Sequence, residues 1–490
     1  MSAPSRPRLS QVAGYGVLRS LIEGLYGVRG VVLAGVLGAE LFGRWALVRI
    51  AQQYLMVAAL GIPRGLEVEI SAAPGRKDAG GAAPEAEAFG RSAVTYLLAV
   101  FGGLSLLAAI GALLAASAEI QLVLGGIAIG LLAERLWFYV ATFLRARGLL
   151  WRFAWYELAH ATLHLILAVA LGAAFGLWGA FAGFLVAHFS GVALASRYVP
   201  LRPAWSRAHL GPLVRIGIPV SVSTLLYTAL ISVDRLLVGA FAGVEALGYY
   251  AFAVAVSGIG VVVGHVIRTV LFPEVFRLAR RAGTDASSDY LDRALLPFAW
   301  VLPPVFGLVA LALGPAIELI LPSYTAAAPA ARIFIFIGVV QGLAMIATLG
   351  IVASDRQRLL PWLTGSAFMA NLLLSVAVLA VGLGLETLAA TALFCRIAYG
   401  IALVLTARGI AGWRQGSAIA LQLGAPVMLC AALAAILGHA FPSPGPAEAA
   451  LALGLYVLGI LPLAPGVLRG VRQARQFDRT PPPRGGADAS

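Results

Sequence analysis

The sequence predicts an all-α, polytopic membrane protein of about fourteen transmembrane helices: two parallel six-helix lobes with two further helices appended. Three observations predict it. The 490 residues are 60% hydrophobic and only 12% charged, with a mean hydropathy of +0.91. That is more apolar surface than one water-soluble core can bury. Basic residues recur in every second connection between apolar runs, and one turn sequence is written twice, 205 positions apart.

A transmembrane helix needs about 20 mostly apolar residues. Walking the chain with that length, and breaking at Pro, Gly and charge clusters, places the first six spans at 11–37, 42–64, 92–116, 119–147, 150–174 and 176–198. A basic linker, 199–212, leads to the next six at 213–241, 245–272, 294–321, 327–352, 360–384 and 386–407. The last two spans, 414–438 and 447–469, lie in the appended segment 408–469, and residues 470–490 are expected to be a disordered tail. Residues 71–88, rich in Ala, Gly and Pro, read as a flexible inner loop. Residues 272–283 read as a span end continuing into a basic surface helix.

Lys and Arg concentrate in cytoplasmic loops. With the N-terminus inside, the inner connections hold clusters such as Arg145, Arg147 and Arg152, or Arg277, Arg280 and Arg281, while the outer ones hold only Arg44 and Arg332. A miscount in mid-chain would destroy this alternation, so the number of spans is even and both termini are cytoplasmic. The net charge of +13 follows from that topology and calls for no nucleic acid. The basic face would also favour anionic membrane lipid. Arg6 and Arg8 lead directly into the first span without a small-residue cleavage site, so no removable signal peptide is expected.

GAELFGRWALV, residues 38–48, recurs as GVEALGYYAFA, residues 243–253. Gly38 matches Gly243, Glu40 matches Glu245, Gly43 matches Gly248 and Ala46 matches Ala251. Each copy joins an outward span to an inward one. A repeat unit of six spans keeps both copies facing the same way, and in transporters of this kind the substrate path lies between the repeats.

The segments VDRLLVGAFAGVEALGYYAFAVAVSG (233–258), LGAELFGRWALV and GIPRGLEVEIS (61–71) carry a resemblance. Over about two thirds of the chain, chiefly spans 1–10, the sequence resembles the polysaccharide-exporter branch of the multidrug/oligosaccharidyl-lipid/polysaccharide exporter (MOP) superfamily. The resemblance implies two six-helix lobes forming a V around a central cavity, and alternating access. It also implies a polyprenyl-diphosphate-linked oligosaccharide, a cell-surface polysaccharide precursor, moved from the cytoplasmic to the outer leaflet of a bacterial cytoplasmic membrane. The implied partners are that glycan, membrane lipid, and the polymerases and glycosyltransferases that consume and make it; no cofactor is implied.

A sugar diphosphate head is polar and anionic, so its path needs hydroxyls, aromatic faces and cations, and charges at membrane depth commonly face such a path. Span 1 offers Arg19, Glu23 and Arg29; span 7 offers Ser223, Tyr227 and Asp234 on one helical face, with Arg235 adjacent. Arg29 and Arg235 are assigned to the anionic head, with Asp234 holding an arginine when the path is empty. Arg19 and Glu23, four apart, pair along their helix. Further cavity candidates are His265, Arg268 and Arg396, with weaker ones at Arg49, Glu134 and Arg135. Glu157, His160 and His164 on span 5 could carry protons, because His titrates near neutrality.

Other classes fare worse. Lys77 is the only lysine and follows an arginine, so no Walker-type G-K-[ST] exists and ATP-driven pumping is disfavoured. The short outer loops leave little room for the acid–base machinery of an enzyme. Cys395 and Cys430 show no metal-ligand spacing. The main alternative is a small-molecule or multidrug cation-coupled antiporter of the same fold, disfavoured by the many arginines.

Overall fold

A computed structural model describes residues 9–72, 82–410, 412–442 and 444–479. Among them every regular element is helical: α1 (Leu9–Leu55), α2 (Ile62–Ala72), α3 (Ala82–Leu114), α4 (Ala118–Ala146), α5 (Leu150–Ala195), α6 (Arg207–Phe241), α7 (Val244–Ile320), α8 (Ala328–Ala353), α9 (Leu360–Ala380), α10 (Leu385–Arg408), α11 (Trp413–Ala440), α12 (Pro446–Ile460) and α13 (Ala464–Arg479), with short 3₁₀ turns between. Backbone groups in hydrocarbon must be satisfied internally, which restricts an apolar chain of this kind to helices.

Among the described residues twelve helical stretches are long and apolar enough to cross a membrane. Two of them, Leu21–Ala59 with 39 residues and Leu150–Tyr198 with 49, are long enough for two passages each. The backbone breaks at Phe175 and Gly176 in α5, where Gly176 has φ 61°. Beyond that break Gly179 packs on the Leu171 carbonyl and Gly183 on Leu167 and Ala168, pairs mirrored about position 175, so the halves of α5 are antiparallel. The first half of α1 runs beside the first half of α5, with Arg29 at His164 and Leu33 at Gly172. Its second half runs beside the second half of α5, with Trp45 on Phe181 and Arg49 on Phe184. Hence α1 also reverses, at Gly38, whose φ of 73° suits a residue without a Cβ. Counting these two reversals gives about fourteen apolar passages among the described residues, close to the number read from the sequence.

α7 is helical throughout but holds two separate apolar stretches, Val244–Arg268 and Leu295–Ile320. Gly260 meets Gly338 and Gly264 meets Gly342, so the first stretch runs parallel to α8. Leu291 meets Gly350, Phe298 meets Gly342 and Gly314 meets Arg332, so the second runs antiparallel to it. The chain therefore turns back between them. Residues 272–283, read as a surface helix, are helical in backbone; nearly all of their side chains lie outside the described residues.

Two compact units result, Val28–Gly248 and residues 1–27 with 249–490. In the first, α6 closes on α2 and its preceding turn: Gly61 and Gly217 meet backbone to backbone, and Gly65 meets Leu213. The Tyr96 hydroxyl donates to the Ala58 carbonyl at 2.8 Å, fastening α3 to the 3₁₀ turn that follows α1. In the other unit α8 is buried along almost its whole length, as its uniformly apolar sequence requires. Large apolar side chains stay exposed, among them Leu113 at 84%, Leu319 at 85% and Trp362 at 79%. Such exposure suits lipid rather than water. Because lipid is as apolar as these side chains, small residues at close helix contacts hold the bundle together more than burial does.

Both copies of the repeated turn carry a glycine at positive φ. Gly38 has φ 73° and Gly243 has φ 91°. The two copies also pack on each other. A Cβ on Gly43 would sit 1.9 Å from the Val244 carbonyl oxygen, and one on Gly248 would sit 1.8 Å from that of Ala39. The pairs 43 with 248 and 39 with 244 both differ by 205, so the contact is reciprocal, a local two-fold in which each copy offers a glycine to the other's carbonyl.

At one end of α8 the buried Arg332 guanidinium lies between Gly314 of α7 and Gly438 of α11. A Cβ on Gly438 would come within 2.3 Å of its Nη1. Gly438→Ala is expected to cost about 1–2 kcal/mol by overpacking, read as thermal unfolding in detergent, and Arg332→Met to remove most of that cost in the double variant. If the double variant keeps the full cost, the guanidinium is not what the glycine accommodates.

Two expectations are revised. The tail expected to be disordered from residue 470 is helical to Arg479 as part of α13, and residues 480–490 lie outside the described residues. The inner loop expected over 71–88 is shorter, because α2 runs to Ala72 and α3 begins at Ala82; residues 73–81 lie outside the described residues.

Candidate functional site

Several of the sequence candidates gather in two places, one in each unit. In the unit containing α7, Arg19 forms an ion pair with Glu23 one turn along α1, as their spacing predicts. His265 on α7 lies within electrostatic reach of Arg19, Glu23 and Arg268. These four share one neighbourhood although about 240 residues separate them in sequence. Arg396 is buried on α10 in the same unit.

The Val28–Gly248 unit holds the denser constellation. Its geometry follows from the α5 hairpin: positions mirrored about 175–176 face each other, which brings His188 opposite His164 and Gly191 opposite His160. The rings of His160 and His188 are 4.5 Å apart and those of His164 and His188 5.2 Å apart. All three are buried. Gly191 leaves room for Trp137, which stacks on His160 at 4.4 Å. The His188 Nδ1 proton is donated to the Phe184 carbonyl at 2.7 Å, leaving Nε2 as the acceptor in the neutral ring. Arg29 brings Nη1 to 3.0 Å from Nδ1 and 3.4 Å from Nε2 of His164. Glu157, also buried, lies one turn before His160 on α5.

Beside the imidazoles runs an ion-pair network. Glu134 accepts a fork from Arg49, at 2.7 and 3.1 Å, and a third contact from Arg135 Nη2 at 3.1 Å. Arg49 also hydrogen-bonds Gln52 and lies 4.5 Å above the Phe184 ring. Gln52 in turn donates to the Gly126 carbonyl at 3.1 Å. Two guanidiniums on one carboxylate, with a third at His164, form a cation-rich interior in an apolar unit. Charges there persist only when paired or facing a polar path.

On α6, Asp234 is buried and accepts the Arg235 backbone N–H at 2.9 Å, while Arg235 Nη2 donates to the Ile231 carbonyl at 3.2 Å. The Ser223 hydroxyl donates to the Pro219 carbonyl, and Tyr227 lies one turn further along the helix.

Sequence reasoning missed His188 and Gln52. His188 stands alone on its span, and only the hairpin mirror about 175–176 could have matched it with His164. The imidazole nitrogens of His160, His164 and His188 lie within 4.8 Å of one another, close enough to converge on a metal ion. Arg29 against His164 and Arg49 on Phe184 oppose a cation there, so the geometry suits hydrogen bonding and proton exchange better than metal binding.

Comparison with known proteins agrees with this architecture. Residues 150–329, which include the α5 histidines and Asp234, match the polysaccharide biosynthesis protein family. The fold is similar to that of the lipid II flippase MurJ in an inward closed conformation, with a TM-score of 0.65 and 13% identity over 95% of this chain and 99% of that one. It is similar to MATE in complex with MaL6, with a TM-score of 0.59 and 15% identity over 83% of this chain and 96% of that one. It is also similar to a MOP superfamily transporter from Pyrococcus furiosus, with a TM-score of 0.54 and 15% identity over 83% and 96%. No curated protein matches the sequence. The resemblance expected from the sequence is thereby met, in fold and in a family segment.

Proposed function

We propose that this multi-pass membrane protein, with its MOP fold and polysaccharide biosynthesis segment, flips a polyprenyl-diphosphate-linked oligosaccharide to the outer leaflet by alternating access. One observation carries the reading: Arg29, Arg49 and Arg135 bring three guanidiniums into the interior of one membrane-embedded unit. A diphosphate crossing the bilayer needs such cations, whereas a cationic drug would be repelled by them. In this reading Arg29 and Arg235 meet the diphosphate, and Asp234 balances an arginine between cycles. Ser223 and Tyr227 offer hydroxyls to sugar, and Arg19, Glu23, His265, Arg268 and Arg396 are the further polar candidates within their own unit. Two six-helix lobes, 1–198 and 213–407, then alternate about that path, with 408–469 appended. The basic connections support cytoplasmic termini, and the membrane in this reading is a bacterial inner membrane. Glycosyltransferases and a polymerase act before and after it.

The second reading is a cation-coupled antiporter of small molecules, and the buried imidazole cluster with Glu157 favours it. Reconstitution into liposomes carrying fluorescent undecaprenyl-diphosphate oligosaccharide separates the two. The expected result is flipping by the wild type, and its loss, at least tenfold, in Arg29→Ala and Asp234→Ala. Full flipping by correctly inserted Arg29→Ala removes that residue from the path. Absence of lipid flipping, with a cationic dye moving down an imposed proton gradient, establishes the antiporter.

A further inference from the structure

The α5 hairpin begins and ends among arginines that have no acid to pair with. Between Arg135 and Asp234 the chain carries seven arginines and one carboxylate, Glu157, which is buried. Surface arginines elsewhere in the Val28–Gly248 unit take a glutamate from three or four residues away: Arg44 pairs with Glu40 at 2.8 Å, Arg64 with Glu67 at 2.7 Å and Arg91 with Glu87 at 2.6 Å. Arg64 does so even on the wall of a cavity of about 220 Å³ that Gln53 and Arg135 also line. No acid stands three or four residues from Arg145, Arg147, Arg152 or Arg197, and none of these four forms an ion pair among the described residues.

They lie over aromatic rings instead. The Arg152 and Arg197 guanidiniums are 4.6 and 5.0 Å from the centre of the Tyr198 ring, so one tyrosine just past α5 gathers a cation from each leg of the hairpin. Arg145 is 5.1 Å from the Phe153 ring and Arg147 6.0 Å from that of Phe143. A guanidinium over a ring keeps its in-plane N–H donors for another acceptor. Like charges gathered this way repel one another, and phosphate is the anion that matches guanidinium forks.

The surface beside them is apolar. Trp151 and Trp155, one turn apart at the start of α5, flank Arg152 and are 41% and 60% exposed. Leu194, on the returning leg, is 50% exposed. Tryptophan favours the boundary between hydrocarbon and headgroups, whereas a water-soluble acidic partner would leave the bilayer out of the contact. An anion that brings its own hydrocarbon satisfies both surfaces, with phosphate on the arginines and acyl chains along the tryptophans and Leu194.

We infer that the open end of the α5 hairpin binds the headgroup of an anionic phospholipid through Arg152 and Arg197 on Tyr198, with Arg145 and Arg147 at the preceding turn, and that this lipid ties the two legs together. The proposed topology puts these arginines at the cytoplasmic leaflet, where anionic lipids give the membrane its negative surface. The inference is independent of what the protein transports, because it concerns a lipid held at the protein's edge.

Tryptophan quenching tests it on the full chain in nanodiscs, because bromine on an acyl chain quenches only the tryptophans it touches. Brominated phosphatidylglycerol is compared with brominated phosphatidylcholine at equal mole fraction in an unlabelled phosphatidylcholine bilayer. The wild type is expected to be quenched more strongly by the phosphatidylglycerol, and the excess to vanish in the Trp151→Phe, Trp155→Phe double variant. Arg152→Gln and Arg197→Gln are each expected to lower the preference about fivefold, the factor one basic residue at a membrane surface contributes. Both side chains are exposed, so their replacement leaves the core intact. Arg64→Gln and Arg91→Gln, which remove arginines already paired, are expected to keep the preference. Equal quenching of the wild type by the two lipids overturns the inference. An equal loss in Arg64→Gln and Arg152→Gln also overturns it, since the whole basic surface then attracts lipid without a site. Inorganic phosphate that abolishes the preference at an ionic strength where chloride does not assigns the patch to a soluble anion and overturns the lipid reading. A wild type with the preference and its expected losses, but without glycolipid flipping, upholds this site and removes the flippase reading.

Discussion

Gly248→Ala is expected to destabilise the protein in detergent by about 3 kcal/mol, the upper end of overpacking costs, and Gly43→Ala to do nearly the same. Each added Cβ would lie under 2 Å from a backbone carbonyl oxygen, 1.8 Å for Gly248 and 1.9 Å for Gly43, and a carbonyl fixed in a helix has no rotamer by which to escape. The helices themselves must part. Because the two glycines serve one reciprocal contact, the first substitution already separates the copies of the turn and the second meets less resistance. The double variant should therefore cost clearly less than the sum of the singles, whereas independent sites add to within about 0.5 kcal/mol. Thermal unfolding followed by tryptophan fluorescence measures this, since Trp45 lies two residues from Gly43. Strict additivity would show that the two glycines do not share one contact.

Glu134→Ala should be the most damaging single change among the buried charges, at about 3–5 kcal/mol. It removes the acceptor of the Arg49 fork and the Arg135 contact together and leaves two guanidiniums facing each other in an apolar interior. Glu134→Gln should cost less, because the amide oxygen still accepts one of those bonds although the charge is lost. Arg49→Gln should fall between them, since Glu134 keeps Arg135. The same unfolding measurement gives the order, and a Glu134→Ala protein as stable as Glu134→Gln would mean that lost charge, and not lost hydrogen bonds, sets the cost.

Much of the fold is legible in the sequence for one physical reason: hydrocarbon permits almost nothing but helices, and it sets their length. Apolar runs of about 20 residues therefore locate passages directly. The reversals at Gly38 and Phe175–Gly176 were readable as breaks between spans, even though each lies inside one long helical stretch. The i, i+4 pair Arg19–Glu23 was readable because its geometry is local. The network around Glu134 was not, because Arg49 and Glu134 stand 85 residues apart and no periodicity links them. His188 escaped for the same reason, and so did Gln53, which looks like any amide near a helix end until its oxygen is found buried.

The sequence by itself determined the class of the protein, its passages and their alternation, and the turn written twice, because each of these depends on residues near one another in the chain and on the uniform demands of the bilayer. Only the tertiary structure decided what the repeated glycines are for, and which charges share a carboxylate. It also decided that His160, His164 and His188 converge, and that Arg135 and Gln53 line one cavity. Those outcomes depend on how helices cross, and a crossing is set by which small residues let two backbones approach. The shape of close packing fixes that, and the order of residues along any one helix does not reveal it.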